Sequence, residues 1–215
     1  MRYLRKSARF PVENAAVDAW FIPQPKSTAR RAPQMLAVAA RNDVIAATVK
    51  PFHDADIALD VIDIPELAQR NLARRFEAEH RGVALLAIDE QAALLTFTCD
   101  GELYQHRRID ISIASLSSEF PDQRAGVYER LVLELQRSLD HFDRQFHDVA
   151  IAKLVVAQVP GAEDLGEHLA ANLDLPVEVL FLSEIMDFPN APDLHEPLRQ
   201  AQCLQLIGGA MRQEA

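Results

Sequence analysis

Cysteine, basic charge and long apolar runs are all scarce in this chain, and each scarcity closes off a class of protein. Two cysteines, Cys99 and Cys203, occur in 215 residues. They form no C-x-x-C or metal-ligand spacing, which argues against a disulfide scaffold or zinc module and for reduced thiols in a cytoplasmic protein. No apolar run approaches the roughly 20 residues needed to span a bilayer. The basic start, with Arg2, Arg5, Lys6 and Arg9, is not followed by the hydrophobic segment of an export signal. Lysine and arginine total 22 against 32 aspartates and glutamates, a formal charge of -10, so no nucleic-acid partner is expected, because phosphate binding needs a basic face. Arginine pairs at 30–31, 74–75 and 107–108 read as solvated surface. The seven histidines are scattered, and His141 and His147 lack the i, i+4 spacing of a helical metal site. No metal is expected. Ser112, Ser115, Ser117 and Ser118 lie in no G-x-S-x-G elbow, so no catalytic nucleophile is assigned.

What is present is enough apolar material, 49% of residues, for one large or two modest α/β domains. Val83–Ile88, Leu94–Cys99 and Leu103–Ile111 read as three strands of an antiparallel meander, with Asp100-Gly101 supplying the positive φ of a tight hairpin turn. Val127, Leu131, Leu135, Leu139, Phe142 and Phe146 recur at helical spacing and define a helix of about 20 residues with one face on the sheet. A strand at Ile151–Ala157, a helix over 162–173, a short strand near Val177 and a helix over 195–212 complete a β-β-β-α-β-α order. Gly208-Gly209 is expected to let the last helix approach a neighbour closely. The opening third reads as strand (Val17–Ile22), proline-bearing loop, strand (Met35–Ala40), helix capped by Asn42 and kinked or ended at Pro51, strand (Ala58–Ile62), then a helix capped by Asp63 with Glu66 returning the bond. Val44, Ile45 and Val49 would be buried by the first of these helices, and Ile64, Leu67, Ala68, Leu72 and Phe76 by the second. Asp60 and Asp63 have the look of paired carboxylates for acid/base work, but capping accounts for Asp63 more simply. Trp20 and Phe21 read as core, and as candidate partner contacts wherever they prove exposed.

That element order matches one half of an actin-like, ribonuclease-H-type domain. Four stretches resemble the actin-like pilus assembly proteins of the PilM type and, within them, the MshI group of mannose-sensitive haemagglutinin (MSHA) pilus biogenesis. These are FPVENAAVDAWFIP at 10–23, MLAVAARNDVIAATVKPF with LDVIDIPELAQRNL at 35–52 and 59–72, GELYQHRRIDIS at 101–112 and ERLVLELQRSLDHFDRQF at 129–146. The resemblance implies an α/β actin-like ATPase fold, a mixed sheet whose three-strand meander is flanked by helices. Residues 8–78 would be the remainder of a first actin-like subdomain and 80–215 the second. It also implies that the chain corresponds to the carboxy-terminal two thirds of such proteins, whose first strands and first phosphate loop lie upstream.

In actin-like ATPases two loops of the second subdomain touch nucleotide, and both are altered here. Where the family pattern is Asp, any residue, Gly, three residues, Thr, this chain reads AIDEQAALLT. With Asp89 as the acid the glycine has become Gln91; with the register set from Asp100-Gly101 the acid has become Ala87. Glu90 adds like charge near any phosphate. The family's Gly-Gly pair is reduced to Gly161 behind Pro160, with Gln158 and Val159 where adenosine would slide over bare backbone. The resemblance therefore implies a cytoplasmic scaffold at the inner membrane that holds the tail of a PilN-like (MshJ-type) membrane protein, with a degenerate nucleotide site at Asp89, Gln91, Gln158 and Gly161 and no cofactor. The alternative is an ATPase or small-molecule kinase that keeps ATP and magnesium, with Asp89 as the acid. A further alternative is an unrelated α/β interaction domain.

Overall fold

Residues 11–23 and 33–212 are described by the computed structural model, and the chain divides between Ile62 and Asp63 into two units. In the first, β1 (Ala15–Phe21) and β2 (Met35–Arg41) form an antiparallel hairpin whose register runs from Ala15 opposite Arg41 to Phe21 opposite Met35. Helix α1 (Asn42–Asp54) follows directly. Two strands and one helix offer little depth, and Ile22 is the only buried residue among those described in this unit.

Three expectations fail here: the cap at Asn42, the burial of apolar residues by the helix, and the strand over 58–62. Arg41, not Asn42, occupies the N-cap, and its guanidinium reaches past Asn42 to Asp43 (Nε to Oδ1, 2.9 Å). Pro51 lies inside α1, which runs on to Asp54; so near the end, its missing N–H costs one bond of the last turn. The helix buries none of its residues, with Val44 exposed and Ile45 and Val49 half-buried. Residues 58–62 are not a strand. An apolar composition makes a segment strand-competent, but a strand exists only where a neighbour completes the ladder, and the first unit's sheet holds β1 and β2 alone among the described residues.

The second unit is built around a five-stranded sheet. Its strands are β3 (Gly82–Ile88), β4 (Ala93–Cys99), β5 (Glu102–Ile109), β6 (Ile151–Ala157) and β7 (Val177–Leu180), in spatial order β5-β4-β3-β6-β7. The meander β3-β4-β5 is antiparallel, while β6 lies parallel to β3 and β7 parallel to β6. Asp100 and Gly101 turn between β4 and β5 at φ 51° and 77°, the two positive values a tight hairpin needs. Every residue of β3 is buried, as expected of a central strand covered on both faces.

One cover is the helix pair α2 (Pro65–Ala73) and α7 (Pro197–Ala210), which closes a core of Leu72, Val83, Leu85, Val155, Leu180 and Leu204. The other is α4 (Pro121–Gln145), preceded by one turn, α3 (Ile113–Leu116). Phe142 of α4 stacks on Phe97 of β4 at 4.6 Å between centroids, and Tyr104 of β5 meets Phe146 edge-on at 5.3 Å. Two short helices, α5 (Leu165–Asn172) and α6 (Leu182–Ile185), flank β7.

The division at Ile62 falls earlier than the 78–80 expected, because α2 belongs to the sheet. Its Ala68, Leu72 and Ala73 are buried, and Gln69 places Nε2 within 2.6 Å of the Leu85 carbonyl and 3.1 Å of Thr96 Oγ1. Asp63 does not cap α2. Pro65 takes the first helical position, which moves the cap to Ile64; Asp63 accepts the Ile64 N–H at 2.9 Å and faces Arg212 at 3.4 Å. Glu66 faces His106 at 3.6 Å.

Gly208 makes the expected close approach. A Cβ there would sit 2.2 Å from the Ala68 carbonyl oxygen, whereas one at Gly209 would meet nothing within 4 Å. Gly208→Ala should therefore destabilise the protein by about 1–3 kcal/mol through forced separation of α2 and α7. Gly209→Ala should be neutral or stabilise by up to about 1 kcal/mol through helix propensity. Urea unfolding of both variants checks this contrast, and equal effects would contradict it.

Candidate functional site

Parallel pairing of β3 with β6, in register from Ala84 opposite Leu154 to Leu86 opposite Val156, brings the chain out of both strands on one edge of the sheet. Ligands of open α/β sheets bind beyond such carboxyl ends. Asp89 follows β3 and Gln158 follows β6, so both altered loops share this edge.

Each loop is closed by a carboxylate of its own. Asp89 Oδ1 accepts the backbone N–H of Gln91 at 2.7 Å and of Ala92 at 2.8 Å, while the Asp89 carbonyl accepts the N–H of Ile113 at 3.0 Å. Gln91 holds its Oε1 toward Arg108 Nη2 at 3.3 Å. In the second loop, Gly161 donates its N–H to Glu163 Oε1 at 3.0 Å. Gly161 adopts φ 77°, and a Cβ there would meet the Ser117 Cβ at 2.8 Å. Both its left-handed backbone and its crowding against Ser117 call for glycine. Gln158 extends the β6–β7 ladder by donating its N–H to the Leu180 carbonyl at 3.2 Å. Residues 112–118 thus touch both loops, through Ile113 at one and Ser117 at the other.

A cleft of about 330 Å³ opens beside the second loop, lined by Gln158, Val159, Glu163, Glu167 and Phe181 among others, with two carboxylates and no lysine, arginine or histidine in its lining. The cavity at Asp89 is only about 60 Å³, well below the ~300–1,000 Å³ of small-molecule sites. At this edge the amides of Gln91, Ala92 and Gly161 donate to carboxylates of their own loops, and Glu167 adds a further carboxylate to the cleft lining. Ala87, the acid position in the other register, is buried in the core beside Leu85.

Trp20 and Phe21 lie on β1 of the first unit. Trp20 is half-buried, and its Nε1 is buried with no hydrogen-bond partner among the described residues. Phe21 is 64% exposed opposite Met35, itself 52% exposed.

One interaction at the second loop escapes sequence reading. Tyr128, buried on α4, places its hydroxyl 2.7 Å from Asp164 Oδ1, and the His168 ring lies edge-on at 5.0 Å. Tyr128 sits one position beyond Val127 of the apolar stripe, so periodicity alone marks it only as near the core. Burial, followed by the bond to Asp164, pushes its hydroxyl pKa well above the ordinary 10.0.

Two predictions follow from this geometry. Asp89→Ala leaves two loop amides without their acceptor and should cost about 1–3 kcal/mol in urea unfolding; no loss of stability would mean that Asp89 does not serve as the loop's clamp. Tyr128 holds its proton more tightly folded than unfolded, so its contribution is present below pH 10 and declines as pH rises from there. Tyr128→Phe should therefore flatten the alkaline fall in stability measured by thermal melts above about pH 10, and an unchanged slope would contradict this.

No protein-family model matches the sequence, and no curated protein shows significant similarity to it. Solved structures do. A chain described as "PilM-PilN type IV pilus biogenesis complex" is similar over 96% of this chain and 70% of its own length, at TM-score 0.70 and 19% identity. A Bacteroides thetaiotaomicron protein described as having an actin-like ATPase fold and unknown function is similar over 83% of this chain and 58% of its own, at TM-score 0.44 and 9% identity. The Aquifex aeolicus Ppx/GppA phosphatase overlaps 46% of this chain and 35% of its own, at TM-score 0.36 and 22% identity. The chain has an actin-like α/β fold, with helices covering a mixed sheet that carries the antiparallel meander.

Proposed function

We propose that the protein is a non-catalytic assembly scaffold of type IV pilus biogenesis, of the MSHA kind, which holds the cytoplasmic tail of a PilN-like (MshJ-type) inner-membrane protein. Likeness in fold to a PilM-PilN complex supports the pilus setting. The observation that carries the non-catalytic part is that Asp89 and Glu163 accept the loop amides of Gln91, Ala92 and Gly161, which are then not free for a phosphate. On this reading the nucleotide site at Asp89, Gln91, Gln158 and Gly161 is degenerate, and ATP and magnesium are not needed. The two units correspond to the end of a first actin-like subdomain and to a second one.

The docking surface in this proposal is the hairpin of the first unit. Phe21 and Met35 form an exposed cross-strand pair, and Val17 is 37% exposed two positions along the same side of β1. Exposed aromatic and methionine side chains are enriched at interface cores. Among the described residues no helix is long and apolar enough to cross a membrane; the proposed route to the inner membrane is through the partner's tail.

Titrating a labelled cytoplasmic-tail peptide of a PilN-like protein onto the full-length chain tests this reading. Saturable binding is expected, unchanged by ATP with magnesium and weakened about tenfold, equivalent to about 1.4 kcal/mol, by Phe21→Ser with Met35→Ser. Absence of binding at high micromolar peptide, or an ATP-dependent gain in affinity, would overturn it.

A further inference from the structure

We propose that a groove at the far end of β6 docks a basic amphipathic peptide segment of a partner protein. The groove lies between the carboxy-terminal half of α4, the start of β6 and the chain leaving α5, with a volume of about 450 Å³. Ile151, at its floor, opens β6, and Gln158 follows the strand's last residue. At roughly 3.3 Å per residue those positions are about 23 Å apart, so the groove is separate from the edge that carries Asp89 and Gly161.

Its lining is divided in a way that selects its occupant. Leu139, Ile151 and Leu175 are half-buried apolar side chains that line it, deepened by the buried Val149. Asp140, Asp143 and Asp174 are exposed around them, and no lysine, arginine or histidine contributes to the lining. None of these three carboxylates has an ion-pair or hydrogen-bond partner among the described residues, whereas Glu134 of the same helix is held by Arg107 and Arg137. Gln136 donates its Nε2 N–H to the Asn172 carbonyl at 3.1 Å, fixing α4 to the end of α5 and so holding the groove open.

An apolar floor rewards an apolar side chain, and unpaired carboxylates around it reward flanking lysines or arginines. Nucleic acid and anionic lipid are repelled by both the rim and the formal charge of -10. A bare metal ion is disfavoured, because no three acidic, histidine or cysteine side chains converge in metal-binding geometry among the described residues. A peptide that alternates leucine or phenylalanine with lysine or arginine satisfies floor and rim together.

Fluorescence anisotropy of such a labelled peptide against the full-length chain provides the test. Saturable binding at low salt is expected, falling about tenfold when Asp140→Asn, Asp143→Asn and Asp174→Asn are combined, and weakening as ionic strength shortens the screening length. These exposed substitutions preserve shape, and an unchanged circular-dichroism melt shows that the variant is folded. A control peptide with alanine at every apolar position should bind at least several-fold more weakly. The proposal is overturned by absence of saturable binding, by equal binding to the folded variant, or by equal binding of the alanine peptide, which would mean charge attraction alone. It is also overturned if sedimentation shows self-association that the variant abolishes and the peptide does not compete, since the groove would then be an interface between copies. Phe21 and Met35 are untouched by these substitutions, so failure here is distinguishable from failure of tail binding at the hairpin.

Discussion

Burial of β3 is the constraint from which the second unit is built. A strand whose seven residues are all buried must satisfy every backbone group through neighbours and every side chain through covers. The antiparallel β4 and the parallel β6 supply the ladders. α2 with α7 covers one face and α4 the other. The parallel partner needs a long crossover, and α4, at 25 residues, spans most of the stretch from β5 to β6. Gln69 shows how tightly this is drawn: a buried amide on α2 reaches carbonyls of both β3 and β4, so helix and sheet are joined by polar contacts inside an apolar layer. Such a residue is costly unless satisfied and specifies one docking geometry once it is.

Local chemistry was readable wherever the residues that signal an element also stabilise it. Asp100-Gly101 marks its turn because few residues adopt the φ values observed there, and the α4 stripe marks its helix because Leu131, Leu135 and Phe142 are the residues buried. Ile151–Ala157 emerged with the bounds read from sequence. Legibility failed where an outcome depended on a distant partner. Residues 58–62 are apolar enough for a strand but pair with no neighbour among the described residues. Asn42 and Asp63 look like caps but are displaced by their neighbours Arg41 and Pro65. α2, between a loop and a strand, does not announce in its sequence which sheet it covers. Its attachment through Gln69, Asn71 and Gly208 connects residues more than 130 positions apart in places, as in the Asn71 Nδ2 to Gly208 carbonyl bond at 2.9 Å.

The site was legible as a set of missing glycines but not as a set of new bonds. Reading Gln91 and Gln158 in place of family residues indicates that something was lost. It does not reveal that Asp89 would turn back on its own loop or that Glu163 would take the Gly161 amide. Those contacts decide the chemistry. A phosphate arriving at these amides would gain charge-assisted bonds only by breaking others of the same kind, so its net gain in hydrogen bonding is near zero. What remains is like-charge repulsion from Asp89, Glu163 and Glu167, which opposes binding.

The two ends of the β3–β6 pair have therefore taken opposite courses. At the carboxyl end, one oxygen each of Asp89 and Glu163 accepts backbone N–H groups of its own loop. At the amino end of β6, Asp140, Asp143 and Asp174 have no such donors and remain solvated beside apolar side chains that are only half covered. A carboxylate that accepts from its own loop is fixed in direction by it, while an unpaired one on the rim of an apolar groove is free to turn toward an external cation. In a fold whose ligand sites ordinarily lie beyond the strand carboxyl ends, the proposed docking of a basic segment at the start of β6 rests on this difference in pairing.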